Sequence, residues 1–282
     1  LHDALPILSA MEKGLENHPV LWIQGQGCTG CSVSLLNSVE PSIKKILLDI
    51  ISLQYHPTVM AAEGEIALEN LYHIADKYKG KFSLVVEGAI PMAADGKYCI
   101  VGEMGHKHIT MLDMTRDLGA KAGSVLAVGT CAAYAGIPGA EGNLTEAKGV
   151  GDVFKKYGIK TPTVNIPGCP PHPDWIVGSI AHLLTKGVPE VDSYGRPKLF
   201  FWNNIHENCP RLSDYDNFIM SKSLSDPKGC RMDIGCKGPD TYADCYKRKW
   251  NSGLNWCVDN SVCIGCVEPG FPDAMSPFYE PL

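Results

Sequence analysis

No apolar run in this chain approaches the ~20 residues that a membrane-spanning helix requires. A basic excess is missing too. The 25 Lys and Arg are outnumbered by 31 Asp and Glu, for a net charge of −6, so the electrostatic footprint of a nucleic-acid binder is absent. The short run Lys247-Arg248-Lys249 reads as a solvated surface patch. The glycine-rich turn Gly25-Gln-Gly-Cys-Thr-Gly-Cys31 lacks the Gly-Lys-Ser/Thr ending of a phosphate-binding loop. Residues 1–19 hold neither a long apolar core nor a twin-arginine pair, so no export signal is visible there. The chain begins at Leu1, as a processed product or a fragment does, and no membrane-anchoring tail follows Pro281-Leu282.

What the chain has instead is cysteine. Its 282 residues are 45% apolar, enough for one large or two smaller buried cores, so its 12 cysteines are not needed as staples. They fall into groups. Cys28 and Cys31 form a Cys-x-x-Cys pair, with Cys131 and Cys169 at long intervals. His206 precedes Cys209 by three residues, and Cys230 and Cys236 follow. Cys245, Cys257, Cys263 and Cys266 close the series, and only Cys99 is left over. Two thiolates on one tight loop can face one metal centre, so soft-metal sites are the reading and disulfides the rival. Zinc and iron–sulfur share the thiolate preference. Three four-ligand sets in one chain favour iron–sulfur, because an electron relay needs several redox centres.

The spacing of apolar residues predicts two unlike parts. Strands are expected at Val20–Gln24, Ile50–Tyr55, Phe82–Glu87, Ser124–Val128 and Thr163–Ile166. Helices are expected at Ser32–Asp49, Glu63–Tyr78, Gly105–Leu118 and Asp174–Thr185. That alternation implies βαβ units and a parallel sheet covered on both faces. Cys28/Cys31, Cys131 and Cys169 each come just after a strand, so all four are expected at the carboxyl ends, where open α/β sheets bind ligands. Beyond about Tyr194 the chain turns rich in Gly, Pro, Asn and Asp and loses periodicity, so metal ligation is expected to supply its missing folding energy. Trp202, Trp250, Trp256, Tyr242 and Tyr246 are expected to pack around the sites in that tail, while His172, in a proline-rich turn, reads as a structural or interface residue.

Gly25-Gln-Gly-Cys-Thr-Gly-Cys-Ser32, Gly129-Thr-Cys131, Pro167-Gly-Cys-Pro-Pro-His172, His206-Glu-Asn-Cys209, Gly235-Cys-Lys-Gly-Pro239 and Cys263-Ile-Gly-Cys-Val-Glu-Pro269 together resemble the small subunit of nickel–iron hydrogenases. The resemblance implies a flavodoxin-like domain over residues 19–193 and a small, loop-rich iron–sulfur domain over 194–282. By position it implies a proximal 4Fe–4S cluster on Cys28, Cys31, Cys131 and Cys169. It implies a medial one on Cys245, Cys257, Cys263 and Cys266, and a distal one on His206, Cys209, Cys230 and Cys236. Many members of the family carry proline where this chain has Cys257 and hold a 3Fe–4S medial cluster. The fourth thiolate here resembles the nickel–iron–selenium subgroup. Members with a modified proximal cluster carry extra cysteines where this chain has Gly30 and Gly136, so an ordinary 4Fe–4S centre is implied.

The function implied is electron transfer within a periplasmic, heterodimeric hydrogenase that oxidises hydrogen or reduces protons. No nickel-binding pair of Cys-x-x-Cys motifs at opposite chain ends is present, so the nickel–iron centre belongs to an obligate large-subunit partner. This chain alone is not expected to be catalytic. Electrons would enter at the proximal set and leave near His206 toward a multihaem cytochrome c. The Pro-Gly-Cys-Pro-Pro motif is also similar to the cluster subunit of respiratory quinone reductases. That subunit normally has adjacent cysteines and no comparable tail. A non-enzymatic zinc or disulfide module is the third reading.

Overall fold

The computed structural model describes residues 18–281. Almost all of the segment searched for an export signal, and the terminal residue Leu282, lie outside them. The chain divides into two compact units between Pro189 and Glu190.

The first unit is built on a five-stranded sheet of β1 (His18–Gln24), β2 (Ile51–Tyr55), β3 (Ser83–Glu87), β6 (Ser124–Val128) and β7 (Thr163–Ile166), in the order β2-β1-β3-β6-β7. Every pairing is parallel. This is the flavodoxin-like order, which reverses direction between β1 and β3 and opens a crevice at their carboxyl ends. β3 and β6 are buried along their whole length. Both read as continuous Leu/Val/Ala runs because helices cover both of their faces. The helices that accompany the sheet include α1 (Gly30–Leu36), α2 (Gly64–Lys77), α3 (Met111–Lys121), α4 (Thr130–Tyr134), α5 (Val150–Tyr157) and α6 (Pro173–Lys186). Leu21, Ile23, Leu84, Val86, Val125 and Ala127 alternate along the strands into one core with Leu68, Leu71, Met114, Leu118 and Phe154.

Two predicted helices are corrected. The Ser32–Asp49 helix is broken: α1 ends at Leu36, and the side chain of Asn37 turns back to donate to the Val33 carbonyl at 2.8 Å. Pro41 has no N–H to continue a helix and disfavours helical geometry at the residue before it. A new turn starts at Ile43–Lys45, capped by Ser42, and widens to π-type geometry over Ile46–Ile50. The apolar spacing of Ile43, Ile46 and Ile50 carried the helical pattern across the break. The Gly105–Leu118 helix starts late. Its first part is an antiparallel hairpin of β4 (Ile100–Met104) and β5 (Lys107–Thr110). The hairpin turns at Gly105 and His106, both at positive φ (51° and 66°), as a two-residue turn between twisted strands demands. Thr110 Oγ1 then accepts the Asp113 N–H at 3.1 Å and caps α3. The short helices α4 and α5 left no periodic signal long enough to predict them.

The second unit has no β-ladder among its described residues, only short helical turns and isolated bridges such as Asn204↔Tyr242 and Met220↔Cys230. Its buried apolar set (Phe200, Phe201, Ile205, Trp256, Val258, Val262, Val267, Phe271) shares the interior with Arg196, Arg231, Lys237 and Glu268. Arg196 Nε donates to Asp192 at 2.7 Å, and its Nη1 donates to Glu268 at 2.9 Å. Glu268 also accepts the Tyr242 N–H at 2.8 Å. Of the aromatic residues expected to pack around the tail's sites, Trp256 is buried, but Trp202 and Tyr242 are 66% and 41% exposed. Among the described residues no helix is long and apolar enough to cross a membrane.

Candidate metal centres

The first candidate centre forms where β1, β6 and β7 end. Gly25 N–H donates to the Glu87 carbonyl at 2.8 Å, which carries the chain out of β1 along the end of β3. Thr29, at φ 63°, then turns it into α1, so that Cys28 and Cys31 flank one tight bend. Cys131 lies in the first turn of α4, and Cys169 follows β7. Two reciprocal bonds clasp these last two loops: Thr130 N–H donates to the Gly168 carbonyl at 3.0 Å, and Gly168 N–H donates to Thr130 Oγ1 at 2.9 Å. Ser34 Oγ ties α1 to the Pro171 carbonyl at 2.6 Å. Gly129, at φ 91°, leaves no room for a side chain: a Cβ there would stand 2.5 Å from Cys31 Sγ.

The four thiols lie within one another's electrostatic reach. Burial pushes Cys31 up first, then the Glu87 carboxylate, and then Cys131, Cys28 and Cys169. Cys131 is pushed up to about 11 by burial and by Cys169. Cys169 is raised by burial and by Cys28. Thiols packed so closely resist ionising unless a cation supplies the opposing charge, which is what a metal group does.

Glu87 was not singled out in the sequence. Only 2% exposed, its carboxylate accepts from Trp22 Nε1 at 2.8 Å, from Gln24 Nε2 at 2.9 Å, from the N–H groups of Cys31 and Ser32 at 3.1 Å each, and from Ser32 Oγ. Ser32 Oγ also meets His56 Nε2 at 3.1 Å. One signal was available: a charged residue ending an apolar strand at the sheet's carboxyl edge. His172 caps α6, its Nδ1 accepting the Asp174 N–H at 3.0 Å, so it serves the fold. Cys99 is half-buried against the core, with its thiol raised by burial.

In the second unit the remaining thiols form two adjoining groups. Asn204 Oδ1 accepts the His206 N–H at 2.8 Å, while its Nδ2 donates to the Pro239 carbonyl at 2.6 Å. The Tyr215 ring meets the imidazole edge-on at 4.7 Å. A Cβ at Gly238 would lie 3.4 Å from Cys236 Sγ and 3.7 Å from His206 N, so these two residues meet across that glycine. Cys209 Sγ accepts the Arg211 N–H at 3.4 Å and is raised by burial and by Cys230. Burial and then Cys263 push Cys236 up to about 12, with Cys209 adding to the shift. In the second group, Cys257 donates its S–H to Cys263, which holds the Cys263 thiol low, and both Cys257 and Cys245 feel Cys266. Cys263 thus faces both groups, and its carbonyl accepts the Lys237 N–H at 2.8 Å.

All 12 cysteines are free thiols. Among the described residues no three His, Cys, Asp or Glu side chains converge on the position of a single ion. The donor chemistry fits iron–sulfur clusters: soft thiols with one imidazole, gathered in groups, with Gly129 letting Cys31 Sγ lie close against the backbone.

Residues 201–279 match the family model for the C-terminal part of the NiFe/NiFeSe hydrogenase small subunit, and residues 28–183 match that of the NADH ubiquinone oxidoreductase 20 Kd subunit. The periplasmic [NiFeSe] hydrogenase small subunit of Desulfomicrobium baculatum is 58% identical, over 97% of this chain and 90% of its own length. The chain belongs to the hydrogenase small-subunit family. The periplasmic [NiFe] hydrogenase small subunit of Solidesulfovibrio fructosivorans is 42% identical over 93% of this chain and 81% of its own. The solved structure of recombinant [NiFeSe] hydrogenase from Desulfovibrio vulgaris Hildenborough superposes with a TM-score of 0.92 at 58% identity, covering 95% of this chain and 99% of that one. The match over residues 28–183 explains the likeness to quinone-reductase subunits, but the relatives spanning both units favour the hydrogenase.

Proposed function

We propose that this chain is the electron-transfer small subunit of a nickel–iron(–selenium) hydrogenase, carrying electrons between the partner's nickel–iron site and an external acceptor. The observation that carries the reading is the gathering of Cys28, Cys31, Cys131 and Cys169 from three loops at one edge of the sheet, within a chain 58% identical to a [NiFeSe] small subunit. Three 4Fe–4S clusters are inferred. Cys28, Cys31, Cys131 and Cys169 would hold the proximal one, Cys245, Cys257, Cys263 and Cys266 the medial one, and His206, Cys209, Cys230 and Cys236 the distal one. Residues 19–193 would carry the proximal cluster and 194–282 the other two. When bound, each cluster supplies a one-electron couple.

The chain's own residues do the rest. Backbone N–H groups and buried walls around the thiols exclude water and set how readily charge is accepted. Glu87 braces the Cys28–Cys31 bend from beneath. Cys263, facing thiols of both later groups, gives those two sites a shared wall. His206 contributes a neutral ligand where the other sets use a thiolate. That removes one negative charge and favours the reduced state. The large subunit would complete an obligate heterodimer, the compartment would be the periplasm, as in the named relatives, and the acceptor a multihaem cytochrome c.

Metal analysis of the purified heterodimer tests this reading. Acid-labile sulfide matching the iron except for the iron of the partner's nickel–iron site, with broad visible absorption that bleaches under hydrogen, is the expected result. A colourless protein containing only zinc would sink it.

A further inference from the structure

Arg231 follows Cys230 directly and is 3% exposed. Its guanidinium makes hydrogen bonds only to backbone carbonyls: Nη1 donates to Ser261, and Nη2 donates to Leu224 and Asp259 at 3.2 Å each. Among the described residues no carboxylate receives a hydrogen bond from it. Nε, also buried, has no acceptor among the described residues. Buried Arg196 and half-buried Arg248 of this unit are built differently. Arg196 is paired with Asp192 and Glu268, and Arg248 with Asp244 at 2.6 Å. An enclosed cation with no carboxylate hydrogen-bonded to it is costly, and an N–H without an acceptor adds to the cost. Arginine does not escape by losing its proton. Such a group persists where a further anionic acceptor, beyond the carboxylates at a distance, faces it.

The surroundings identify that partner. The Arg231 carbonyl accepts the Cys236 N–H at 3.1 Å, so the residue sits inside the loop joining Cys230 to Cys236. Burial and the neighbouring Arg211 depress the guanidinium's pKa, whereas Cys236, Asp259 and Asp226 support its charge. Neither carboxylate is hydrogen-bonded to the guanidinium: Asp259 accepts the Trp256 N–H at 3.0 Å, and Asp226 Oδ2 accepts the Lys222 N–H at 2.6 Å. The sulfur-rich group that His206, Cys209, Cys230 and Cys236 would hold is anionic, and its sulfurs accept hydrogen bonds. Ser261 and Asp259 lie between Cys257 and Cys263, so the same side chain also ties the loops of the two groups together.

We propose that Arg231 is a positioning residue of the His206 site: it supplies the buried counter-charge and, through Nε–H, a hydrogen bond to that site's sulfur, while pinning the site to the Cys257–Cys263 loop. This rests on the iron–sulfur reading above. A fixed positive charge stabilises the reduced form, acting in the same direction as the replacement of a thiolate by His206. Arg231 therefore makes this site a deeper electron sink than its ligands alone would.

The test uses the intact heterodimer. Wild-type enzyme containing arginine labelled with 15N at Nε is expected to show an arginine 15N coupling in pulsed electron paramagnetic resonance of the reduced His206 cluster. That coupling should vanish in Arg231→Lys. In potentiometric titration, Arg231→Gln should lower the reduced-to-oxidised ratio of that cluster about tenfold at fixed potential, a shift of about 59 mV for a one-electron couple. Arg231→Lys, which keeps the charge, should recover most of it. A purely structural brace would leave the potential in place. An unchanged ratio in Arg231→Gln overturns the proposal, as does an equal shift in both variants or the absence of 15N coupling. If Arg231→Gln fails to assemble its cluster, the labelled wild-type enzyme decides. Absence of any cluster signal from wild-type protein would instead defeat the iron–sulfur reading itself.

Discussion

Cys31 donates its backbone N–H to Glu87 Oε1 at 3.1 Å, joining the loop after β1 to the last residue of β3 across 56 positions of sequence. The same carboxylate takes the indole N–H of Trp22 and the amide of Gln24. Glu87→Ala would strip acceptors from several enclosed donors at once, each costing about 1–3 kcal/mol. The variant is expected to lose more than about 3 kcal/mol of stability and to release iron faster on warming, whereas Glu87→Gln keeps the shape and loses less. Thermal scans with iron release as the readout check this, and an Ala variant as robust as the parent counts against the brace.

Cys257 turns its thiol toward Cys263 and feels Cys245 and Cys266. As a fourth ligand it would let that group hold a fourth iron. Oxidised wild-type enzyme should then show no stoichiometric 3Fe–4S resonance, and Cys257→Pro should acquire one. A strong 3Fe–4S signal in the unmodified protein removes Cys257 from the ligand set.

Much of this arrangement was legible along the chain. Ser124–Val128 and Thr163–Ile166 match their predicted bounds, because strands sandwiched between helices read as short β-branched runs. Placing Cys131 and Cys169 just past them brought their thiols near Cys28 and Cys31 by topology alone. The hairpin was missed because Gly105-His106 lacks the usual Asn-Gly signal, and the break after Leu36 was hidden by an apolar period running past Pro41. Glu87 gains its role from donors on β1 and α1, and the unpaired Nε of Arg231 from carbonyls in other loops. Pairings of that kind leave no trace in local spacing.

Removing metal should act unevenly. The first unit has a sheet and a contiguous apolar core built from side chains alone, whereas the second has no ladder among its described residues and encloses several charged side chains. Metal ligation supplies folding energy where the core is small. Anaerobic chelation is therefore expected to expose residues beyond Glu190 to protease and hydrogen exchange before the sheet. Simultaneous loss of protection in both units would contradict this.

Arg196 offers a separate test of how the second unit coheres. Its guanidinium links Asp192 to Glu268, both within hydrogen-bond distance, and its side chain is 3% exposed. Removing one partner of an enclosed ion pair strands the other charge, at about 3–5 kcal/mol. Arg196→Ala should lower the denaturation midpoint accordingly. Arg196→Ala combined with Glu268→Gln should recover part of the loss, because the stranded carboxylate is gone. A double variant no better than the single one would mean that packing, not charge, dominates there.

His206 is the residue whose replacement should separate two activities that normally travel together. Its backbone is fixed by Asn204 and its ring by Tyr215, so His206→Ala would remove the proposed ligand without removing the loop's anchors. Hydrogen–deuterium exchange requires only the partner's nickel–iron site. Reduction of an external acceptor requires an electron to leave through this chain. His206→Ala is therefore expected to slow acceptor reduction far more than isotope exchange, as measured on the same preparation. His206→Cys would restore the proposed ligand but add a negative charge, and so should recover part of the rate at a lower cluster potential. Equal loss of exchange and acceptor reduction in His206→Ala would place this histidine outside the exit route.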